Sequence, residues 1–293
     1  MTTSTHIDHY AVLGHPIHHS LSPQIHAAFA TQTGQGLRYT AIDVAPAELV
    51  NTFNQLPDKG FKGVNITVPH NEAAWSFVME HGNLSERAAM AGAVNTIAWT
   101  PNGIIGDNTD GQGLLNDLQQ RHRLNLANKR ILLLGAGGAT RGVVLPLLAA
   151  SPSALVIANR TAARAVELAN LFTPKAVAVG CLLHGCGLDA LPQVISATGA
   201  FDVVINATSA SLGGEAIQLP AGAINPGGFA YDMMYGKAPT AFLEAQRAAG
   251  VTHLADGLGM LVEQAAVAFS LWRGVAPETQ PVYAALREQL AQK

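Results

Sequence analysis

Three short stretches gather side chains that can move protons or hold a small anion. NITVPHNEAA, residues 65–74, runs an apolar strand into a proline and then into His70, Asn71 and Glu72. GHPIHHSLSPQIH, residues 14–26, carries four histidines and the two serines Ser20 and Ser22. GDNTDGQG, residues 106–113, sets Asp107 and Asp110 in a glycine-bounded loop. Proton transfer at a pocket edge is the chemistry these residue types allow.

Plainer roles compete at each position. Ser22, just before Pro23, reads as an N-cap with proline in the first helical turn, whereas Ser20 has no such duty. Turn chemistry accounts for Asp107 and Asn108. Asp110, close to the expected junction of two domains, is the leading carboxylate because small-molecule pockets favour such junctions. Asn71 reads as an N-cap for EAAWSFV, a role compatible with lining a pocket. His15, His18, His19 and His26 suggest a metal, but there is no HExxH and no nearby acidic ligand, so none is expected.

A fourth stretch, ILLLGAGGATRG at residues 131–142, is an apolar strand, a glycine turn and a helix start. Gly135 permits the turn, Gly137 lets backbone approach a pyrophosphate, and the helix N-terminus offers free N–H groups to it. Thr140 stands where the third glycine of G-x-G-x-x-G would be, so the pattern carries weight only with its context. That context is a second strand, ALVIA, within one βαβ-sized unit. An NAD site usually ends this strand with an acid on the ribose 2′-hydroxyl. Here Asn159 takes the position, followed by Arg160 and Arg164, which can grip a 2′-phosphate or merely sit on a solvated helix face. NADP is therefore preferred over NAD.

The elements that must position these groups alternate along the chain. YAVLG, the helical PQIHAAFATQ, YTAIDV, a helix near Pro46 to Gln55 and GVNITV form a first series that suggests parallel strands with crossover helices. A second series runs from RILLLG through ALVIANR and AARAVELANLF to FDVVINAT and FAYDMMY. The expectation is an α/β chain of two domains, with the change near residue 110. GLGMLVEQAAVAFSLW, residues 257–272, has helical apolar spacing and is expected to pack back on the first domain.

Bulk properties narrow the function. With 293 residues and 48% hydrophobic content the chain can bury a large core. A formal charge of −3 provides no broad positive field for a nucleic-acid backbone. The uncharged, apolar stretch Gly142 to Asn159 is interrupted by Pro146 and Pro152 and reads as a helix followed by a strand, with no membrane span. Cys181 and Cys186 are too few for a zinc site or disulfide framework and read as buried free thiols. The first ten residues lack a basic start and apolar core, so a cytoplasmic location is expected.

Taken together, GHPIHHSLSP, GVNITVPH, GAVNT, GDNTDG, GAGGATRG, ANRT, NATS, YDMMY and DGLGMLVEQA occur in an order and spacing that resembles shikimate dehydrogenase. The resemblance extends from Tyr10 to about Gly274. It implies an NADP-dependent oxidoreductase of aromatic amino acid and chorismate biosynthesis that interconverts 3-dehydroshikimate and shikimate, as a monomer or homodimer. It implies a substrate-binding domain from residues 1–110 plus 250–293 and a Rossmann-like NADP domain from residues 111–249. Ser20, Ser22, Thr67, Asn95, Asp110, Tyr235 and Gln264 would line the substrate pocket. Gly135, Ala136, Gly137, Gly138, Ala139, Asn159, Arg160, Thr161 and Arg164 would meet the cofactor, with Met233 and Gly257 near its nicotinamide end. Hydroxyls and amides suit a polyhydroxylated acid.

One position departs from the family. Where its members carry a lysine beside the aspartate, this chain has Asn71, whose amide does not titrate and so gives no proton to a carbonyl. Lys62 lies nine positions earlier, roughly 30 Å back along an extended strand at about 3.3 Å per residue. His70 is adjacent and titratable but expected to face elsewhere. Binding of both ligands is expected to survive, with turnover lowered roughly 10²- to 10⁴-fold. Two other readings remain: quinate as a further substrate, and a non-catalytic protein that senses shikimate or NADP.

Overall fold

The strand β1, Asp8–Gly14, is buried along its last five residues, as expected of a strand covered on both faces of a sheet. The computed structural model describes residues 7–208, 210 and 216–292 of the chain. The NATS stretch lies partly outside the described residues at Ser209. Two compact units divide the chain, one running up to Gly113 and including Val262–Ala285, the other comprising Leu114–Leu261 and the residues from Leu286 on.

In the first unit, β1 is joined by β2 (Leu37–Asp43), β3 (Phe61–Ile66), β4 (Gly82–Leu84), β5 (Thr96–Thr100) and β6 (Gly103–Asp107) in the order β2-β1-β3-β5-β6-β4. Its helices are α1 (Ser22–Thr33), α2 (Leu49–Gln55), α3 (Asn71–His81) and α4 (Glu86–Ala91), and α5 (Asp110–Asn116) begins in it. The strands β1, β2 and β3 are parallel, as the sequence suggests. Beyond that series the sheet turns antiparallel: β5 and β6 pair antiparallel with each other, and β5 pairs antiparallel with β3. The cause is local: TPNG between β5 and β6 makes a hairpin turn, with the Thr100 hydroxyl donating to Gly103 O at 2.8 Å. Phe53 and Phe77, with ring centroids 4.9 Å apart, sit in the core beneath this sheet.

The second unit holds β7 (Arg130–Leu134), β8 (Ala154–Asn159), β9 (Leu182–Gly187), β10 (Phe201–Asn206), β11 (Ile224–Asp232) and β12 (His253–Asp256). All pairings are parallel, in the order β12-β11-β10-β7-β8-β9. Counted from β7, this is the doubly wound order of dinucleotide-binding sheets, whose strand sequence reverses between β7 and β10. The helices α6 (Gly138–Ala149), α7 (Ala162–Ala178), α8 (Leu191–Thr198) and α9 (Ala241–Ala248) make the crossovers, and α6 continues through Pro146. Cys181 and Cys186 are buried and free.

The last two helices, α10 (Leu258–Arg273) and α11 (Gln280–Gln292), each contribute residues to both units. The part of α10 from Val262 belongs to the first unit, where Trp272 donates its ring N–H to Ile97 O at 3.0 Å. No helix among the described residues is long and apolar enough to cross a membrane.

Candidate functional site

Asp110 opens α5 and is half-buried. Its Oδ1 accepts a hydrogen bond from Asn95 Nδ2 at 2.8 Å, and its backbone N–H is held by Asn108 Oδ1 at 3.2 Å. Burial pushes this carboxyl up to about 6, against the opposing pull of the Asn95 hydrogen bond. A carboxyl group in that range can hold or release a proton near neutrality.

Asn95 is itself buried and hydrogen-bonded at both ends of its amide. Its Oδ1 accepts the backbone N–H of Thr109 at 2.8 Å and the hydroxyl of Thr96 at 2.9 Å. Its Nδ2 also reaches Thr109 Oγ1 at 3.1 Å, and that hydroxyl donates to Gln264 Oε1 at 3.3 Å. Gly113 makes the approach of Gln264 possible, because a Cβ there would meet Gln264 backbone N and Cβ at 2.6 Å. Asp110, Asn95 and Gln264 are thus brought together, with Thr109 between them.

The loop that ends in Asp110 is pinned from one side by an ion pair. Arg87 clasps Asp107 through Nε at 2.7 Å and Nη2 at 2.5 Å, and Ser85 adds a hydroxyl at 2.5 Å. Burial opposes ionisation of Asp107, but these donors together hold its carboxyl below the usual range. The sequence offers Asp107 as turn chemistry; the structure makes it a buried anchor.

Two assignments at helix starts are corrected. Ser22 is the first residue of α1 rather than its cap, Leu21 takes the cap position, and no side chain caps the helix. Ser20, expected to have no local duty, accepts the Ser22 backbone N–H at 3.3 Å. Pro23 brings no N–H to the first turn, so the serine two residues before the helix meets the remaining donor. Asn71 likewise starts α3, with His70 at the cap position and no side-chain cap. Its Nδ2 donates to Ile66 O at 3.2 Å and Val94 O at 3.3 Å, so the side chain is held by backbone carbonyls outside the helix and makes no cap.

The remaining residues of this unit follow from packing. Thr67 is half-buried after β3, and a Cβ on Gly14 would fall 2.6 Å from its methyl group. His70 is buried with Nε2 2.8 Å from Val44 O, so it faces the core, as its neighbour position suggests. Lys62 is exposed. His15 and His18 meet Asp43 at 2.6 and 3.5 Å, whereas His26 is buried and stacked on Tyr39. Among the described residues no three His, Cys, Asp or Glu side chains gather as metal ligands.

In the second unit Gly135 ends β7 with φ +107, and its missing Cβ leaves room for Thr208 and for the Thr140 hydroxyl. Thr140, at the third glycine position, is fully buried beneath the turn. Gly137 caps α6 without a side chain, and no heavy atom lies within 4 Å of where a Cβ would stand on Gly137 or Gly138. Ala136 is half-buried and Ala139 exposed above the same turn. Unpaired N–H groups at the start of a helix of 12 residues, with open space before them, fit a pyrophosphate.

At the end of β8, Asn159 donates to Thr161 O at 3.0 Å, and Arg160, Thr161 and Arg164 are exposed. Neither arginine has an ion-pair partner among the described residues, so both guanidiniums are available to a phosphate. Met233 and Gly257 are in contact, because a Cβ on Gly257 would collide with the Met233 carbonyl. Tyr235 follows β11, half-buried, its phenol raised by burial and then by the Asp256 charge.

Sequence reasoning missed Tyr39, Asn65 and Thr96. The signal was a polar residue inside an apolar strand, Asn65 in GVNITV and Thr96 in VNTIA, since such a residue must find partners when buried.

Comparison with known proteins agrees along the chain. Residues 12–97 match the shikimate dehydrogenase substrate binding domain, 117–213 match shikimate / quinate 5-dehydrogenase, and 257–287 match the shikimate 5′-dehydrogenase C-terminal domain. The shikimate dehydrogenase (NADP(+)) of Aromatoleum aromaticum is 52% identical, covering 97% of this chain and 98% of its own. That of Methylobacillus flagellatus is 50% identical, covering 96% and 99%. The crystal structure of shikimate 5-dehydrogenase from Thermus thermophilus in complex with NADP(H) and shikimate superimposes with a TM-score of 0.81 at 33% identity, covering 97% and 100%. Identity of this order over almost the full length means that the chain belongs to the shikimate dehydrogenase family.

Proposed function

We propose that the chain carries out the NADP-dependent, reversible reduction of 3-dehydroshikimate to shikimate, at a rate limited by Asn71. The observation that carries this reading is Asp110, a carboxyl raised to about 6 and oriented by Asn95 in a unit that resembles the family's substrate-binding domain. NADPH, when bound, supplies the hydride. The Gly135–Ala139 turn holds its pyrophosphate, Arg160 and Arg164 with Asn159 and Thr161 hold its 2′-phosphate, and Met233 and Gly257 flank its nicotinamide end. Ser20, Ser22, Thr67, Asn95, Tyr235 and Gln264 bind the hydroxyls and carboxylate of the substrate.

In the reductive direction protonated Asp110 gives its proton to the carbonyl oxygen, and in the oxidative direction its carboxylate takes the proton back. Asn71 binds and orients but moves no proton. Oxidation of NADPH in the presence of 3-dehydroshikimate tests the reading, alongside calorimetry with shikimate and with NADP. Turnover together with uptake of both ligands is expected; folded protein that takes up neither ligand would overturn it.

The non-titrating amide of Asn71, its Nδ2 held by two backbone carbonyls, favours one other reading, a non-catalytic protein that binds shikimate and NADP. Intact binding of both ligands without detectable turnover would select it. A substrate panel that includes quinate distinguishes the wider substrate range.

A further inference from the structure

A single file of buried side chains leads from the interior of the first unit to Asp110. The Tyr39 hydroxyl bonds Asn65 Oδ1 at 2.8 Å, Asn65 Nδ2 bonds Thr96 Oγ1 at 3.0 Å, and Thr96 Oγ1 bonds Asn95 Oδ1 at 2.9 Å. Asn95 Nδ2 then meets Asp110 at 2.8 Å. Tyr39, Asn65, Thr96 and Asn95 are all buried.

Two backbone groups force the direction of every bond in this file. The Thr109 N–H, which can only donate, points at Asn95 Oδ1, so the other end of that amide, Nδ2, must face Asp110. The Asn95 carbonyl, which can only accept, lies 3.2 Å from Asn65 Nδ2, so Asn65 Oδ1 faces Tyr39 and the phenol must donate. Thr96 accepts from Asn65 and therefore spends its one hydrogen on Asn95. Each donor polarises the next in the same sense, and the last acceptor is the carboxylate.

We propose that Tyr39, Asn65 and Thr96 are positioning residues that act through Asn95 to orient the Asp110 carboxyl and favour its ionised form. The inference rests on Asp110 being the acid–base group of the reaction. Its neighbours suit a fixed relay. His26 stacks on the Tyr39 ring with centroids 4.2 Å apart and planes 6° apart, and burial lowers it to about 3, so it stays neutral. Burial lifts the Tyr39 phenol well above its usual range, with the Ser22 hydroxyl pulling the other way, so it remains a donor. The ion pair of Arg87 and Asp107 in the same loop is complete in itself. Burial and the Asn95 hydrogen bond are the influences acting on Asp110, so the relay governs the one that opposes burial.

The test reads Asp110 directly by carboxyl 13C NMR titration of the full chain, with the pH profile of kcat/KM for 3-dehydroshikimate reduction beside it. Thr96→Val and Tyr39→Phe should each raise the Asp110 pKa, about three- to tenfold in its proton equilibrium for Thr96→Val and less for Tyr39→Phe. Thr96→Ser, which keeps the hydroxyl, should restore the original titration. In the unmodified protein the Tyr39 ring carbon bearing oxygen should shift with the same midpoint as Asp110, a readout that needs no variant to fold. An Asp110 titration unchanged in the folded variants, or a Tyr39 signal indifferent to Asp110, would overturn the relay and leave these residues a purely structural part. Because NMR reads the carboxyl without turnover, failure of the relay and absence of the activity are separable.

Discussion

The Nδ2 of Asn71 donates to the backbone carbonyl of Val94 at 3.3 Å, the residue next to the Asn95 that holds Asp110. The same nitrogen reaches Ile66 O at 3.2 Å, which stitches the start of α3 to the end of β3. Position 71 is therefore tied by backbone contacts to the residues around the carboxylate, but with a group that cannot titrate.

Restoring a proton carrier there should restore rate. Asn71→Lys is expected to raise kcat roughly 10²- to 10⁴-fold, the usual share of a general acid or base. It also removes two donated hydrogen bonds, worth about 1 kcal/mol each, so a modestly lower melting temperature should accompany the gain. Steady-state kinetics on both proteins would show it, and an unchanged kcat would remove Asn71 as the cause of slow turnover.

The pH dependence follows from Asp110. Its carboxyl is raised from an ordinary 3.8 to about 6 by burial, so the folded chain keeps a proton that the unfolded chain has lost between those values. The contribution of this group to stability is fully present below 3.8 and lost as pH rises through about 6. In catalysis, kcat/KM for reduction should fall as pH rises above about 6, while oxidation of shikimate, which needs the carboxylate, should rise over the same range. Asp110→Asn should abolish this limb of both profiles.

Cofactor choice depends on two exposed guanidiniums. The double substitution Arg160→Ala with Arg164→Ala is expected to raise the KM for NADPH by about 10- to 100-fold, given about 1.5–3 kcal/mol for a hydrogen bond to a charged group. The KM for NADH should hardly change, since that cofactor lacks the 2′-phosphate. Equal losses with both cofactors would mean that the arginines act on the fold.

Gly257 tests the close approach behind Met233. A Cβ there would run into the Met233 carbonyl, which is backbone and cannot swing aside. Gly257→Ala should cost about 1–3 kcal/mol of stability as overpacking, visible as a lower melting temperature by calorimetry. Unaltered melting would show that the two segments have room to separate.

Much of the second unit was legible from sequence because its signals are local. β7, the turn at Gly135 and α6 lie within twenty consecutive residues, and glycine geometry with a helix start constrains them without long-range help. The first sheet was harder. That β5 pairs antiparallel with β3 depends on a register across the sheet, and that register sets Asn65 opposite Thr96. Reading Asn65 as a relay member needs that pairing, since neither residue has a distinctive neighbour in the chain.

The helix starts show the same division. Serine or asparagine near a proline is a sound cue for a cap, yet at Ser22 and Asn71 the helix began one residue earlier than the cue implied. The backbone carbonyls of Ile66 and Val94 then fixed the use of the Asn71 side chain.

The sequence by itself determined which groups can titrate and which cannot: no lysine at 71, no acid at the end of β8, and a carboxylate at 110. Those are properties of side-chain chemistry and survive any fold. Only the tertiary structure decided the state of that carboxylate, because desolvation and the donor on Asn95, 15 residues away, arise when β5 and the loop after β6 are brought together. A proton affinity is a property of surroundings, and surroundings are made by packing.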